Sequence, residues 1–220
     1  MASLPRFLLH HAPQSRAFRI LWMLEECGAA YERAPHDLRR GTQKAPDFLA
    51  INPDGKLPVL VDRGPAGDWQ GVVVTESLGI CAYLADVTGA LAPAVGSRQR
   101  GVYATFLAYG GTVLEPAMAE LAFPRKEPPP AMALGWPPFA DAVARVERQI
   151  TASGGPYLLG ADFTAADVMT GGLLRFAASF GMYKPGPVAA GYLAALEGRP
   201  AMLRAKAIEQ AAIEAARTSP

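Results

Sequence analysis

The sequence predicts an α/β unit followed by an all-helical one, and three observations lead to this fold class. Short apolar runs of strand length alternate with segments of helical period over about the first ninety residues. After a stretch containing proline and glycine at residues 91–96, no further strand pattern follows. A chain of 220 residues is long enough for two modest domains. We therefore expect domains at residues 1–90 and 97–220.

The elements of the first part are predicted in the order βαβ–α–ββα. Strands are expected at residues 6–11, 31–37, 57–62 and 71–75, and helices at residues 16–28, 45–51 and 76–87. In the first helix the apolar residues recur at helical spacing, and Gly28 is well suited to end it. This order is that of a thioredoxin-like unit, a small sheet with helices on its faces.

The second part has helical patterns throughout. A long helix is expected from Ser97 to about residue 121, another around residues 139–150, and a last Ala-rich one after Arg199-Pro200. Between them, Thr164-Ala165-Ala166-Asp167 is a Thr-x-x-Asp helix start, in which hydroxyl and carboxylate satisfy free amides. Residues 124–138 contain six prolines; they are interpreted either as a lid or as a rigid surface loop.

Composition excludes several classes of function. Lys and Arg number 21 against 20 Asp and Glu, so the net charge of +1 removes the usual electrostatic reason to expect nucleic acid. No apolar run is long enough to span a bilayer, and the N-terminus lacks the pattern of a signal peptide. Only two cysteines occur, Cys27 and Cys81, so no disulfide framework is expected and a reducing cytoplasm is the default. Neither lies in a C-x-x-C pair, which argues against a dithiol redox enzyme of the thioredoxin kind. The histidines and cysteines lack metal-ligand spacing, so we expect no metal.

Two motifs carry the functional prediction. In Asn52-Pro53-Asp54-Gly55-Lys56-Leu57-Pro58-Val59-Leu60, a tight turn leads into a strand that contains a proline. Because proline has no N–H, its position predicts a cis bond after Leu57 that leaves the neighbouring backbone free for a ligand. Glu76-Ser77 places an acid and a hydroxyl at a helix start, which favours anions. Together they predict a pocket for an extended peptide with carboxylates.

This pair of motifs resembles the glutathione site of the glutathione transferase superfamily. Ser15-Arg16-Ala17-Phe18-Arg19 resembles the Ser-x-x-x-Arg segment of bacterial, serine-type members, and residues 163–168 resemble the capped helix of their second domain. The resemblance implies that Ser15 stabilises the glutathione thiolate; a plain helix cap is the alternative, and the two roles are compatible. No tyrosine occurs in the first strand, and the cysteine of the cysteine-type subfamily is missing.

The resemblance also implies the remaining contacts to glutathione. The backbone of Leu57, before Pro58, would pair with the cysteinyl unit. Ser77 and the helix start would hold the γ-glutamyl carboxylate, with Glu76 facing the amine. Gln43 and Lys56 would hold the glycyl carboxylate. A solvated turn charge at Lys56 and a plain cap at Glu76-Ser77 are the alternatives.

The electrophile pocket is expected between the domains, against the first helix of the second one. Its candidate lining residues are Tyr103, Phe106, Leu107, Tyr109 and Phe123, although aromatic residues at this spacing also fit a core. His10 and His11 flank the Ser15 turn, either as ligand contacts or as packed side chains.

The resemblance therefore predicts a cytoplasmic, homodimeric detoxification enzyme that adds the glutathione thiolate to a small hydrophobic electrophile. The alternatives are a glutathione-dependent peroxidase, isomerase or dehalogenase on the same fold, or a non-catalytic glutathione-binding protein.

Overall fold

A four-stranded mixed sheet organises the N-terminal part of the computed structural model, which describes residues 4–127 and 129–218. The strands are Phe7–His11 (β1), Tyr31–Pro35 (β2), Val59–Asp62 (β3) and Val72–Thr75 (β4), in the spatial order β2-β1-β3-β4. β2 is parallel to β1, whereas β3 is antiparallel to both β1 and β4. The predicted element order and the thioredoxin-like fold class are confirmed.

The helices account for most of the remaining described chain. They are Ala17–Cys27 (α1), Pro46–Leu49 (α2), Ser77–Thr88 (α3), Arg98–Tyr109 (α4), Glu115–Ala122 (α5), Phe139–Ser153 (α6), Ala165–Ser179 (α7), Pro187–Glu197 (α8) and Pro200–Thr218 (α9). Gly28 ends α1 in the left-handed conformation, with φ of 60°, as its position predicts. No helix within the described ranges is long and apolar enough to cross a membrane.

Contacts divide the chain into two units. One contains the residues up to Ala90 together with those from Pro200 onward, and the other is Leu91–Arg199. The expected division at residues 1–90 and 97–220 differs from this grouping at α9, which packs against α1. Sequence periodicity marks α9 as a helix but does not specify the surface that it covers.

The long helix expected from Ser97 to residue 121 is interrupted. α4 ends at Tyr109, a π-helical turn occupies Gly110–Leu114, and α5 follows. Pro116 has no N–H for the helical ladder, and this removes a bond that a continuous helix requires. A Cβ on Gly110 would lie 3.1 Å from Met169 Cγ of α7, so a glycine permits this close approach. The predicted start of α7 at Thr164 is confirmed with both halves of its capping box.

The sequence patterns did not predict α8. This helix is rich in alanine and carries few polar residues, so it lacks the one-sided stripe by which a surface helix is detected. In the proline-rich segment, whose residue 128 lies outside the described ranges, Trp136 Nε1 donates to Glu120 Oε2 at 2.8 Å. Arg125 Nε also lies 3.0 Å from Glu120 Oε1. These contacts join both ends of the segment to α5.

Candidate functional site

The strand register brings the predicted glutathione motifs to one edge of the sheet, the edge that is formed by the ends of the strands. Ala34 pairs with His10, His10 with Val59, and Val59 with Thr75. β1 and β2 therefore end at the edge where β3 begins and where β4 ends. The segments at this edge are the turn with Ser15, the 36–44 segment, Leu57–Pro58 and Glu76–Ser77.

Ser15 caps the first turn of α1. Its Oγ accepts a hydrogen bond from Ala17 N at 3.1 Å, while its hydroxyl donates to Ala12 O at 2.7 Å. The side chain is half-buried. A sulfur at this site would compete with the Ala12 carbonyl for the hydroxyl proton. The cap is therefore present, and the role toward a thiolate stays a prediction.

The C-terminal helix holds the turn that carries Ser15. Glu209 of α9, only 9 % exposed, accepts a hydrogen bond from Gln14 N at 2.6 Å. Its second oxygen lies 2.9 Å from His11 Nε2, but neither of these two atoms has a hydrogen-bond partner of good geometry. Gln14 has φ of +57°, a backbone conformation that residues other than glycine adopt at a cost in free energy. Sequence reasoning missed Glu209, because one acid in a helix with many charges carries no distinguishing pattern.

The Leu57–Pro58 peptide bond is cis, as predicted. Pro58 is buried and Leu57 is half-buried just before β3. Within the described part of the chain, the main-chain groups of Leu57 make no hydrogen bond. They are thus available to an extended ligand, as the predicted backbone pairing requires.

Gln43 and Lys56 lie on segments that contact each other. Lys44, which the sequence analysis did not single out, donates from Nζ to Asp54 O at 2.7 Å and joins the two segments. A Cβ on Gly55 would come within 2.8 Å of Gln43 O, and the glycine φ is +56°, so both space and conformation require glycine. Gln43 Oε1 is buried without a partner, whereas Lys56 is exposed. An amide oxygen can only accept a hydrogen bond, and an ionised carboxylate has no proton to donate. Gln43 Oε1 therefore does not fit the predicted contact to the glycyl carboxylate.

Glu76 and Ser77 form the start of α3. Glu76 is exposed and has φ of +61°, and Ser77 is 8 % exposed. A glutamate in this backbone region costs about 1–3 kcal/mol and is typical of functional sites. The strained residue thus lies at the helix N-terminus, where the amides favour an anion.

All three histidines belong to this unit, and two are in contact. His10 Nδ1 lies 3.0 Å from His36 Nε2, and both rings pack against Phe48. Burial, with a contribution from the nearby His36, lowers the pKa of His10 to about 4, and burial also lowers the pKa of His36. His10 is thus a packed neutral side chain, with a buried Nε2 that has no partner. No group of three or more histidine, cysteine or acidic side chains suited to a metal occurs in the ranges that the structure describes.

The candidate electrophile residues belong to the helical unit. Tyr103, Phe106, Leu107 and Tyr109 are each at most 7 % exposed, whereas Phe123 is 82 % exposed. The rings of Phe106 and Tyr109 lie 5.8 Å apart, as in a packed core. Their role in an electrophile pocket stays a prediction.

Comparisons with known proteins relate the N-terminal part of the chain to one protein family. Residues 6–86 match the family model "Glutathione S-transferase, N-terminal domain". The chain is 38 % identical over 81 residues to a disulfide-bond oxidoreductase, YfcG, of Escherichia coli, and 40 % identical over 89 residues to a maleylacetoacetate isomerase of Rhizobium meliloti. These matches cover 37 % and 39 % of this chain, and 38 % of each relative's length.

A solved structure extends the likeness to both units. A glutathione transferase from Burkholderia graminis, with two glutathione molecules bound per subunit, is 26 % identical with a TM-score of 0.68. The alignment covers 93 % of this chain and 89 % of that one. Residues 6–86 thus match the N-terminal domain model of glutathione S-transferases, and the whole chain is similar in fold to a glutathione transferase.

Proposed function

We propose that the protein is a serine-type glutathione transferase that adds the glutathione thiolate to a small hydrophobic electrophile. The observation that carries this proposal is the single sheet edge to which the register brings the Ser15 turn, the free backbone of Leu57 and the α3 N-terminus. A hydroxyl, an unpaired backbone segment and a helix start suit the thiol, the peptide and the carboxylate of glutathione, respectively.

The chemistry requires a thiolate. A free thiol with a pKa near 8.5 is only a few per cent ionised at neutral pH. A hydrogen bond to a charged group stabilises it by roughly 1.5–3 kcal/mol, which lowers the thiol pKa by about one to two units. Ser15 also precedes the N-terminus of α1, where negative charge is favoured. The thiolate then attacks the electrophilic carbon, and a sulfur–carbon bond forms as the leaving group departs with its electron pair.

The glutathione contacts follow the predicted scheme. Leu57 pairs with the cysteinyl unit through its main chain, Ser77 and the amides of α3 hold the γ-glutamyl carboxylate, and Glu76 faces the amine. Lys56 is the cation for the glycyl carboxylate. Gln43 lies beside it and donates through its amide nitrogen, which leaves its buried oxygen for a donor such as the glycyl N–H.

The test is the ultraviolet absorbance of the thiolate of bound glutathione as a function of pH. We expect the thiol pKa to lie well below that of free glutathione in the wild type and to return by about one to two units in Ser15→Ala. Ser15→Gly separates the two roles of Ser15, because glycine is a tolerated helix N-cap but has neither a proton to donate to sulfur nor a charge that repels it. A thiol pKa equal to that of free glutathione in Ser15→Gly, with α1 intact, supports catalysis by the hydroxyl. A thiol that titrates as in water in the wild type contradicts the proposal and favours a non-catalytic glutathione-binding protein.

An isomerase is the second candidate, because the relative from Rhizobium meliloti carries that name. Glutathione would then add to a double bond and leave again after rotation, so that no conjugate accumulates. Product analysis with halide electrophiles, hydroperoxides and a cis-unsaturated acid separates conjugation, peroxidase, dehalogenase and isomerase activities.

A cytoplasmic homodimer is part of the proposal. β4 is an edge strand of the sheet, and its Val72 and Val73 are each 43 % exposed, which suits a surface covered by a second copy. Analytical ultracentrifugation at micromolar concentration tests this assembly, and a monomer there contradicts it.

A further inference from the structure

A pocket of about 1060 Å³ lies within the N-terminal unit, beside the Ser15 turn. Its apolar lining comes from Pro13 of that turn, Pro35 at the end of β2, and Ala212 and Ala215 of α9. None of the residues predicted to bind glutathione belongs to the lining. The volume is at the upper end of that of small-molecule sites, about 300–1,000 Å³. The apolar part of the lining consists of small or flat side chains, which suit a planar apolar body.

Positive charge is concentrated around this pocket. Arg33, Arg39 and Arg40 line it, with Asp37 as the one acid in the lining. Asp37 Oδ1 already accepts the main-chain N–H groups of Arg39 at 2.8 Å and Arg40 at 3.2 Å. Within the described ranges, no hydrogen bond or ion pair is made by the guanidinium groups of Arg33 and Arg39. Since the whole chain has a net charge of +1, this is a local anion-attracting field rather than a general basicity.

His11 also lines the pocket and is 1 % exposed. Its Nε2 lies 2.9 Å from Glu209 Oε2 of α9, so this nitrogen faces an acid and is not itself a place for the ligand. The apolar part of the lining and the two arginines whose guanidinium groups have no partner in the part of the chain that the structure describes together indicate a site for an organic anion.

We propose that this pocket binds the carboxylate of the second substrate, so that the electrophile is an aromatic or unsaturated carboxylic acid rather than a neutral hydrophobe. Arg33 and Arg39 hold the carboxylate, while the prolines and alanines cover the apolar body. Pro13, two residues before Ser15, lines the pocket, which places the site beside the turn that is proposed to hold the glutathione sulfur. This inference rests on the proposed function for its catalytic meaning, but the binding site itself is testable without turnover.

The first test measures binding of 4-methylbenzoate and its uncharged analogue 4-methylbenzamide by calorimetry. We expect wild-type protein to prefer the benzoate, and Arg39→Gln and Arg33→Gln each to raise its Kd by about fivefold, the size of a partly exposed ion pair. The Kd of the benzamide should change much less. Arg98→Gln, an exposed arginine outside this pocket, removes the same charge and should leave the preference unchanged.

The second test uses 4-(bromomethyl)benzoate and its methyl ester as electrophiles at saturating glutathione. In both, the thiolate sulfur bonds to the benzylic carbon and bromide leaves with the electron pair of the carbon–bromine bond. We expect the ratio of kcat/KM for the acid over the ester to fall about fivefold in Arg39→Gln and to keep its wild-type value in Arg98→Gln.

The outcomes separate this inference from the proposed function. Equal affinity of the wild type for benzoate and benzamide, or equal effects of Arg39→Gln and Arg98→Gln, overturns the inference. Arg39→Gln could instead weaken the affinity for glutathione and leave the preference for benzoate unchanged. That result would assign Arg39 to the glycyl carboxylate of glutathione and would also overturn the inference. An arginine-dependent benzoate preference in a protein that forms no thiolate supports the inference while the transferase proposal fails.

Discussion

Two buried acids, one in each unit, differ in how completely they are hydrogen-bonded. In the helical unit, Asp167 accepts hydrogen bonds from Leu158 N, from both N and Oγ1 of Thr164, and from Tyr192 OH, at 2.8–3.1 Å. In the N-terminal unit, Glu209 accepts one hydrogen bond, from Gln14 N, and its other oxygen has none of good geometry. Burial raises the pKa of Asp167 to about 6, and the hydrogen bonds oppose that rise.

The contrast concerns these two residues and not the units as a whole. Asp62, fully buried in the N-terminal unit, accepts hydrogen bonds from Arg6, Gly64 N and Tyr83 OH. Glu209 Oε2 instead lies 2.9 Å from His11 Nε2, beside the turn that carries Ser15. An acid with all of its hydrogen bonds made serves the scaffold, whereas Glu209 holds a turn of the candidate site. The comparison therefore predicts a large loss of stability at Asp167, and a smaller loss together with a functional one at Glu209.

The largest expected effect is the loss of stability in Asp167→Ala. The substitution leaves buried donors at Leu158, Thr164 and Tyr192 without an acceptor, and each costs about 1–3 kcal/mol, so we expect the free energy of unfolding to fall by about 3 kcal/mol or more. Urea denaturation measures it. Asp162→Ala, at an exposed aspartate near the same helix, is the control and should change stability by less than about 0.5 kcal/mol. A small effect at Asp167 would show that its hydrogen bonds do not stabilise the unit.

Glu209→Ala should have the next largest effect and should also change function. It removes the charged acceptor of the part-buried Gln14 N–H, and a hydrogen bond to a charged group contributes roughly 1.5–3 kcal/mol, so we expect a loss of about 2 kcal/mol in stability together with a higher pKa of the bound glutathione thiol. Glu209→Gln keeps an oxygen for Gln14 and should recover most of both. Glu214→Ala, exposed on the same helix, is the control.

The thiol pKa decides the meaning of that result. If Glu209→Ala lowers stability but leaves the thiol pKa of bound glutathione unchanged, Glu209 has a structural role and does not position Ser15. A change in thiol pKa that glutamine reverses assigns it a positioning role.

Local patterns were sufficient for most of the fold. The alternation of strands and helices, Gly28 at the end of α1 and the Thr164–Asp167 capping box depend on neighbours a few residues apart, and all were predicted. The interruption at Gly110–Leu114 was not, because it depends on how closely α7 approaches Gly110 as well as on Pro116. α8 was missed because a helix with few polar residues shows no amphipathic period.

In the candidate site, too, local features were predicted and long-range contacts were not. The cis bond at Pro58 and the helix start at Ser77 were predicted, because a proline or a cap acts through its own backbone. Neither the role of Glu209 nor the pocket lined by Arg33, Arg39 and Arg40 was predicted. Glu209 is 195 positions from its partner Gln14, and the pocket joins the end of β2 to α9. Single-sequence patterns carry no information about such distant contacts.

Glu76→Gly tests whether the strain at the start of α3 serves binding. Glycine adopts φ of +61° without cost, so we expect stability to rise by up to about 1 kcal/mol while glutathione affinity falls through loss of the carboxylate that faces its amine. Urea denaturation and calorimetric titration with glutathione measure the two quantities. Leu91→Gly is the control, since Leu91 also has a positive φ, of +61°, but no assigned ligand contact. Unchanged glutathione affinity in Glu76→Gly would remove Glu76 from the site.

The smallest expected effect at neutral pH is that of His10, because its contribution to the pH dependence of stability is seen only on acidification. Its pKa is about 4 in the folded protein against an ordinary value of 6.5, so below pH 6.5 the unfolded chain binds a proton that the folded one does not. The contribution of His10 to stability is thus complete above pH 6.5, decreases as the pH falls, and is lost below about pH 4. His10→Phe keeps a ring against Phe48 and cannot titrate, so its stability should fall less than that of the wild type between pH 6.5 and 4. Parallel pH dependences in the two proteins would show that another group, such as His36, determines the loss.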